Sequence, residues 1–194
     1  MRKRTFDALM VVAGLVLAAI LLVAGGLLTW GSTFVGNEVH NQLAAQKIYF
    51  PPANSPEIKA LPSADATAMK AYAGQLMTTG AQAQAYADHF IAVHLREIGG
   101  GQTYAQLSGK ALAQPGNAKL QGEVAAIFKG TTLRGMLLNA YGFWKLGQIV
   151  WIGAIASFIG AALLLLLAIA GALHLRRVPE TAELFAKISH PVNA

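Results

Sequence analysis

Cysteine is absent from this chain, so no disulfide and no thiolate metal site can form whatever the compartment. Packing alone must hold together whatever domain it builds. Charge is scarce too: Asp, Glu, Lys and Arg make up 12% of the 194 residues, against roughly a quarter in soluble domains. No stretch alternates apolar and polar side chains convincingly over strand length, which leaves helix as the expected secondary structure. No nucleophile elbow is present, and Gly99-Gly100-Gly101 lacks the preceding strand and the spacing of a phosphate loop. With thiol chemistry already excluded, no standard catalytic signature remains.

What the chain has in excess is apolar sequence, 55% of its residues. The longest run, Gln148 to Leu175, contains no Asp, Glu, Lys or Arg and ends at Arg176-Arg177. Its roughly 28 positions reach about 40 Å as a helix, enough for a tilted bilayer span. A second run, Asp7 to Trp30, follows Arg2, Lys3 and Arg4. The pair predicts a two-span hairpin that carries the rest of the chain between its spans. A cleaved signal peptide is the alternative for the N-terminus. The run Ala8 to Leu28 exceeds the usual 7 to 15 residues of a signal's apolar region, and no clear Ala-x-Ala site follows, so retention is expected.

The expected divisions are therefore a cytoplasmic N-terminus (1–6), a first span (7–30), an extracytoplasmic helical domain (31–147), a second span (148–175) and a cytoplasmic tail (176–194). Orientation comes from the basic residues outside the spans, Arg2, Lys3, Arg4, Arg176, Arg177 and Lys187, because positive charge stays on the cytoplasmic side. These residues also account for much of the formal charge of +6. The central segment holds nine basic and six acidic residues with no basic stripe, so nucleic-acid binding is not expected. Trp30, Trp144 and Trp151 are placed as interface anchors, and the bilayer itself is the first expected partner. Gly14 and Ala18, and Gly153, Ser157 and Ala161, recur four apart and predict a close seam between the spans.

In the central segment the first helix is expected to run past Trp30, with Val39, Leu43 and Ile48 at helical spacing, until Pro51-Pro52 stops it. The stretch Pro51 to Ser63, with four prolines, reads as a loop. A long helix from Ser63 or Asp65 to Ile98 is predicted next, its seam being Met69, Tyr72, Leu76, Thr79, Ala83, Tyr86, Phe90 and Val93. A shorter helix, Thr103 to Ala113, follows the glycine triplet. The last helical stretch leads into the second span, and Gly122, Gly130 and Gly135 predict a kink or a tight crossing within it. The fold class is all-α: two transmembrane helices extended into an extracytoplasmic helical bundle.

The one constellation with metal-ligating chemistry is Asp88 to Glu97. His89, His94 and Glu97 are the candidate ligands, with Glu38 and His40 as further donors from the first helix, a set suited to zinc or iron. The spacing works against it, because His89 and His94 are five apart and lie roughly 140° from each other around a helix. A solvated polar face, with His94 paired to Glu97, is the competing reading, and no cofactor is expected.

The segments HNQLAAQKIYFPP (40–52), YADHF (86–90) and TLRGMLLNAYG (132–142) together resemble a group of uncharacterised actinobacterial two-span membrane proteins. The resemblance implies a cell-envelope setting. Some members carry the label aromatic ring-opening dioxygenase, which implies an iron held by two histidines and a carboxylate; it supplies no functional residues here. The leading expectation is a non-catalytic accessory or scaffold subunit of a larger membrane protein complex, partnered by other membrane subunits. The alternatives are an extracytoplasmic ligand-binding or sensing module, marked by a pocket of at least about 300 Å³, and a metal-dependent enzyme.

Overall fold

The computed structural model describes residues 3–177; Arg2, Lys187 and the tail beyond Arg177 lie outside them. The regular elements among the described residues are all helices, with no strand beyond one isolated antiparallel bridge between Tyr49 and Leu76. Two very long helices dominate, α1 (Lys3–Ala45, 43 residues) and α7 (Ala118–Leu175, 58 residues). Between them come α2 (Pro56–Lys59), α3 (Ser63–Lys70), α4 (Gly80–Tyr86), a π-helical turn (Ala87–Ile91), α5 (Ala92–Ile98) and α6 (Tyr104–Ala113). Both long helices contain a stretch long and apolar enough to cross a membrane. The chain divides into two compact units: a span unit, residues 3–31 with 150–177, and a bundle unit, residues 32–149.

In the span unit the two helices run antiparallel along a seam spaced three and four residues apart. On α1 the seam is Val11, Gly14, Ala18, Leu21, Gly25 and Leu28. On α7 it is Ala154, Ser157, Ala161, Leu164, Ala168 and Gly171. This is the rhythm of helices that cross at a shallow angle. A Cβ added at Gly14 would rest 3.8 Å from that of Ala168, and one at Gly25 would press on the Phe158 ring at 3.0 Å. A side chain at Gly153 would meet Leu28, and one at Gly160 would meet Leu21. Ala18 and Ala161 are fully buried, and the Ser157 hydroxyl donates to the Gly153 carbonyl at 2.9 Å within its own helix. Small residues let the backbones approach, while the large side chains between them, such as Leu17, Leu27, Leu163 and Leu167, face outward.

In the bundle unit the core gathers Val39 and Leu43 of α1, Phe50, Ile58, Leu61, Met69, Met77, Ala83, Ala87, Ile91, Val93 and Leu137 of α7. Here the structure corrects the long helix expected from Ser63 to Ile98. That helix ends at Lys70, and the chain crosses residues 75–79 in extended form before α4 begins. Gly74 takes φ +71°, a left-handed conformation that costs glycine little. Its amide then donates to the Phe50 carbonyl at 3.1 Å, the Phe50 amide donates to Gln75 at 2.9 Å, and the Met77 amide donates to Ile48 at 2.9 Å. Leu76 and Thr79, expected on a helical seam, lie in this crossing. Thr79 instead caps α4, in a reciprocal box with Gln82.

The proline-rich loop contains a helical turn of its own, α2, with Ser55 as cap and Pro56 in its first turn. The glycine triplet ends α5, with Gly100 at φ +56° and Gly101 at φ +78°. Thr103 and Gln106 cap α6 in the same reciprocal way, and Asn117 caps α7 through the Leu120 amide. Gly122, Gly130 and Gly135 do not interrupt α7. Of them, Gly130 lies against Leu95, whereas open space surrounds Gly122 and Gly135.

Two glycine replacements separate close approach from mere tolerance. A Cβ at Gly80 would collide with the Cβ and ring of Trp144, near the backbone of α7, where nothing flexible can give way. Gly80→Ala is expected to lower stability by about 1–3 kcal/mol. Gly122→Ala, in a helix interior facing open space, is expected to leave stability unchanged or raise it by up to about 1 kcal/mol. Thermal unfolding of the detergent-solubilised full chain measures both.

Candidate functional site

The polar residues proposed as metal ligands lie on the stretch from the π turn into α5, and the structure turns them away from one another. His89 Nδ1 is 2.8 Å from Asp65 Oδ1 of α3; the carboxylate accepts, so this nitrogen carries the proton. His94 Nδ1 donates to the Phe90 carbonyl at 2.8 Å, and its ring packs on that of Phe90 at 4.5 Å. Glu97 is exposed near the end of α5. Of the extra donors considered, Glu38 accepts from Gln42 one turn along α1, and His40 is exposed. Among the described residues no three His, Asp or Glu side chains converge to hold a metal ion. The candidate ligands His89, His94 and Glu97 are thus not brought to one point in the described structure: each histidine has a local partner and Glu97 is exposed.

The π turn organises this cluster. Its wider winding points the adjacent residues Asp88 and His89 at different helices. Arg134 of α7 donates from Nη2 to Asp88 Oδ1 at 2.7 Å and from Nε to the Ala87 carbonyl at 3.2 Å, while His89 reaches α3. One guanidinium thus recognises both a side chain and the backbone of the π turn. Arg134 was missed by the sequence reading, though a guanidinium between Leu133 and Met136 in an otherwise apolar stretch is a signal that a carboxylate waits elsewhere.

Beneath the cluster runs a file of rings, with centroids separated by 5.3 Å from Tyr72 to Phe50, 5.3 Å from Phe50 to Tyr86 and 4.8 Å from Tyr86 to Phe90. Burial pushes the Tyr86 phenol above its ordinary pKa of 10.0. Beside this file, Gln82 is the buried polar side chain. Its Oε1 accepts from the Thr78 and Thr79 amides at 2.8 and 3.0 Å, and its Nε2 donates to Gln75 at 3.0 Å. These groups satisfy each other, and none is presented to a ligand.

A groove between α1 and α7 provides the opening that the polar cluster lacks. It encloses about 550 Å³ and is lined on α1 by Phe34, Val35, Val39 and Leu43, and on α7 by Leu133, Met136, Leu137, Ala140 and Phe143. Val39, Leu43 and Leu137 are its buried floor, whereas Met136 and Phe143 are 63% and 61% exposed. Glu38 and Gln42 of α1, with Gln46 just past its end, recur four apart and form one polar edge, and Asn139 adds a polar group from α7. Apart from Glu38, no charged side chain lines it.

The tryptophans expected at the membrane interface have different settings. Trp144 lies over Gly80 and packs against the bundle core, while Trp30 and Trp151 are exposed. Neither a known protein family, nor a characterised protein, nor a solved structure matches this chain. The groove and the cluster must therefore be read from their own chemistry.

The Tyr86 phenol sets an alkaline limit on stability. Its proton is held more tightly folded than unfolded, so the stabilisation is fully present below pH 10 and is lost as pH rises through the higher folded value. Tyr86→Phe is expected to flatten this alkaline loss while changing little at neutral pH. Unfolding midpoints of the two proteins, compared between pH 8 and 11, provide the check.

Proposed function

We propose that the chain is a membrane-anchored, non-catalytic binding module that holds an apolar ligand in the groove of its bundle unit. The groove carries this reading. Its volume of about 550 Å³ falls within the range of small-molecule sites, and apolar walls with a few polar groups at the edge are their usual composition. With basic clusters outside both spans, residues 31–147 face away from the cytoplasm and both termini lie within it.

An accessory role in a larger membrane complex is a second reading, supported by a different surface. The hairpin of α6 and the start of α7 leaves Leu112 81% and Phe128 55% exposed, and pairs Tyr104 with Phe128 at 5.5 Å between ring centroids. Exposed apolar side chains grouped on a short hairpin fit a protein contact.

Two experiments test these readings. Native mass spectrometry of the chain purified from its membranes in mild detergent should show a bound non-protein mass, absent from the groove-filling variant Ala140→Phe. A bare chain in both cases would refute the binding module. In a tagged pull-down, co-purifying membrane subunits at near-equal amount that are lost with Leu112→Glu would support the accessory role. Orientation is read separately with a single engineered thiol, Gln114→Cys. It should react with a membrane-impermeant reagent in intact cells, and protection there would reverse the topology.

A further inference from the structure

We propose that the span unit carries a lipid site of its own, in which Asp7 and His174 bind the headgroup of an ethanolamine phospholipid. This inference rests on the two spans lying in a bilayer and is independent of the groove in the bundle unit.

The register of the spans brings the two residues together. Val11 of α1 faces Gly171 of α7, Gly14 faces Ala168 and Leu21 faces Gly160, so a step forward on one helix is a step back on the other. One turn before Val11 stands Asp7, and one turn after Gly171 stands Leu175, with His174 beside it. Asp7 and His174 line a single cavity of about 330 Å³, whose other walls include Met10, Leu17 and Leu167. Those three side chains are exposed, so the apolar walls of the cavity belong to the surface that meets lipid. Its polar end lies towards the chain termini and its apolar end towards the middle of the spans, the same polarity as a lipid in one leaflet.

Charge selects the occupant. No Asp, Glu, Lys or Arg other than Asp7 lies between Asp7 and Trp30 or between Gln148 and Leu175. The Asp7 Oδ2 atom is buried and finds no hydrogen-bond partner among the described residues. The residue as a whole is only half-buried and lines the cavity, so a donor can approach it from that side. A charged oxygen left unpaired at a membrane is costly, and a cation with N–H bonds to give relieves it. Two protein donors are too few to hold a structural zinc ion, which takes four ligands.

Among common headgroups, glycerol and serine leave the phospholipid with a net negative charge, which Asp7 repels. Choline is cationic but has no N–H. The ethanolamine ammonium combines positive charge with N–H donors, and charge-assisted bonds of this kind are about twice as strong as neutral ones. Its phosphate, two carbons away, needs a donor in turn. A ring N–H of His174 can supply one, and exposed Arg176 and Arg177 add positive charge two and three residues further on.

The test offers the full chain, delipidated in mild detergent, phosphatidylethanolamine or phosphatidylcholine with the same acyl chains, and counts bound lipid by native mass spectrometry. The ethanolamine lipid is expected to bind about fivefold more tightly. Its N-monomethyl and N,N-dimethyl derivatives should fall in between as N–H donors are lost, a series that needs no variant. Asp7→Asn should make the two lipids equal, whereas Asp7→Glu should keep the preference. His174→Ala should weaken both alike, because both carry the phosphate.

Equal binding of the two lipids by the unaltered chain, the result if Asp7 simply carries a proton, would overturn the site. So would a preference that survives Asp7→Asn or ignores N-methylation, binding indifferent to His174→Ala, or tighter binding of phosphatidylglycerol. Ala140→Phe, in the bundle unit, should leave the preference intact. If it abolishes the preference instead, the lipid sits in the groove, and this site falls while the binding-module reading stands.

Discussion

Three backbone hydrogen bonds between Ile48–Phe50 and Gly74–Met77 set the architecture of the bundle unit. After α1 ends at Ala45, the chain meets Pro51 and Pro52, which have no amide to donate. A buried Phe50 with unpaired backbone groups would be costly, and a helix through residues 71–79 could not supply partners, because its own amides and carbonyls would be used internally. Ending α3 at Lys70 solves this. Gly74 turns the chain, residues 75–77 pair with 48–50, and Thr79 restarts the helix with Gln82. That restart fixes where the π turn meets Arg134, and Gly80 brings α4 against Trp144 of α7.

This also explains which parts of the fold were legible in the sequence. Helix ends with their own chemistry were readable: the glycine triplet after Ile98 and the Gln114–Asn117 turn mark real boundaries. The long helix from Ser63 was misread because a spacing of three and four was present while the competing backbone pairing, made with residues 24 to 29 positions earlier, leaves no local trace. Met69, Tyr72, Ala83, Tyr86, Phe90 and Val93 still face the core, but from separate elements. The true rhythm of three and four lies in the spans. It is hard to see there because nearly every residue is apolar, so periodicity has little contrast and only the small residues stand out.

The candidate site was less legible for a related reason. Spacing along a helix says which face is apolar but not how far away the facing helix stands. Val39 and Leu43 were read at helical spacing, and they do lie on the side of α1 that faces α7; that the two sides enclose a groove is a property of the pair. The polar constellation from Asp88 to Glu97 failed in the opposite direction. Its residue types suited a metal, but Arg134, Asp65 and the Phe90 carbonyl, none of them visible as partners in the sequence, engage Asp88, His89 and His94 in turn, and Glu97 is left exposed.

The same contrast between satisfied polar groups and unsatisfied apolar ones decides where function is sought. Gln82, His89, His94 and Arg134 each have protein partners, so a ligand would have to displace an existing hydrogen bond to reach them. Met136 and Phe143 instead leave most of their surface open beside a buried aliphatic floor. Apolar surface left open to water forgoes about 25 cal/mol for each Å² that a ligand would cover, whereas a hydrogen-bonded polar cluster gains little from an added partner. An apolar ligand of the kind proposed would therefore gain more in the groove than at the polar cluster, whose Asp88–Arg134 pair holds the π turn against α7.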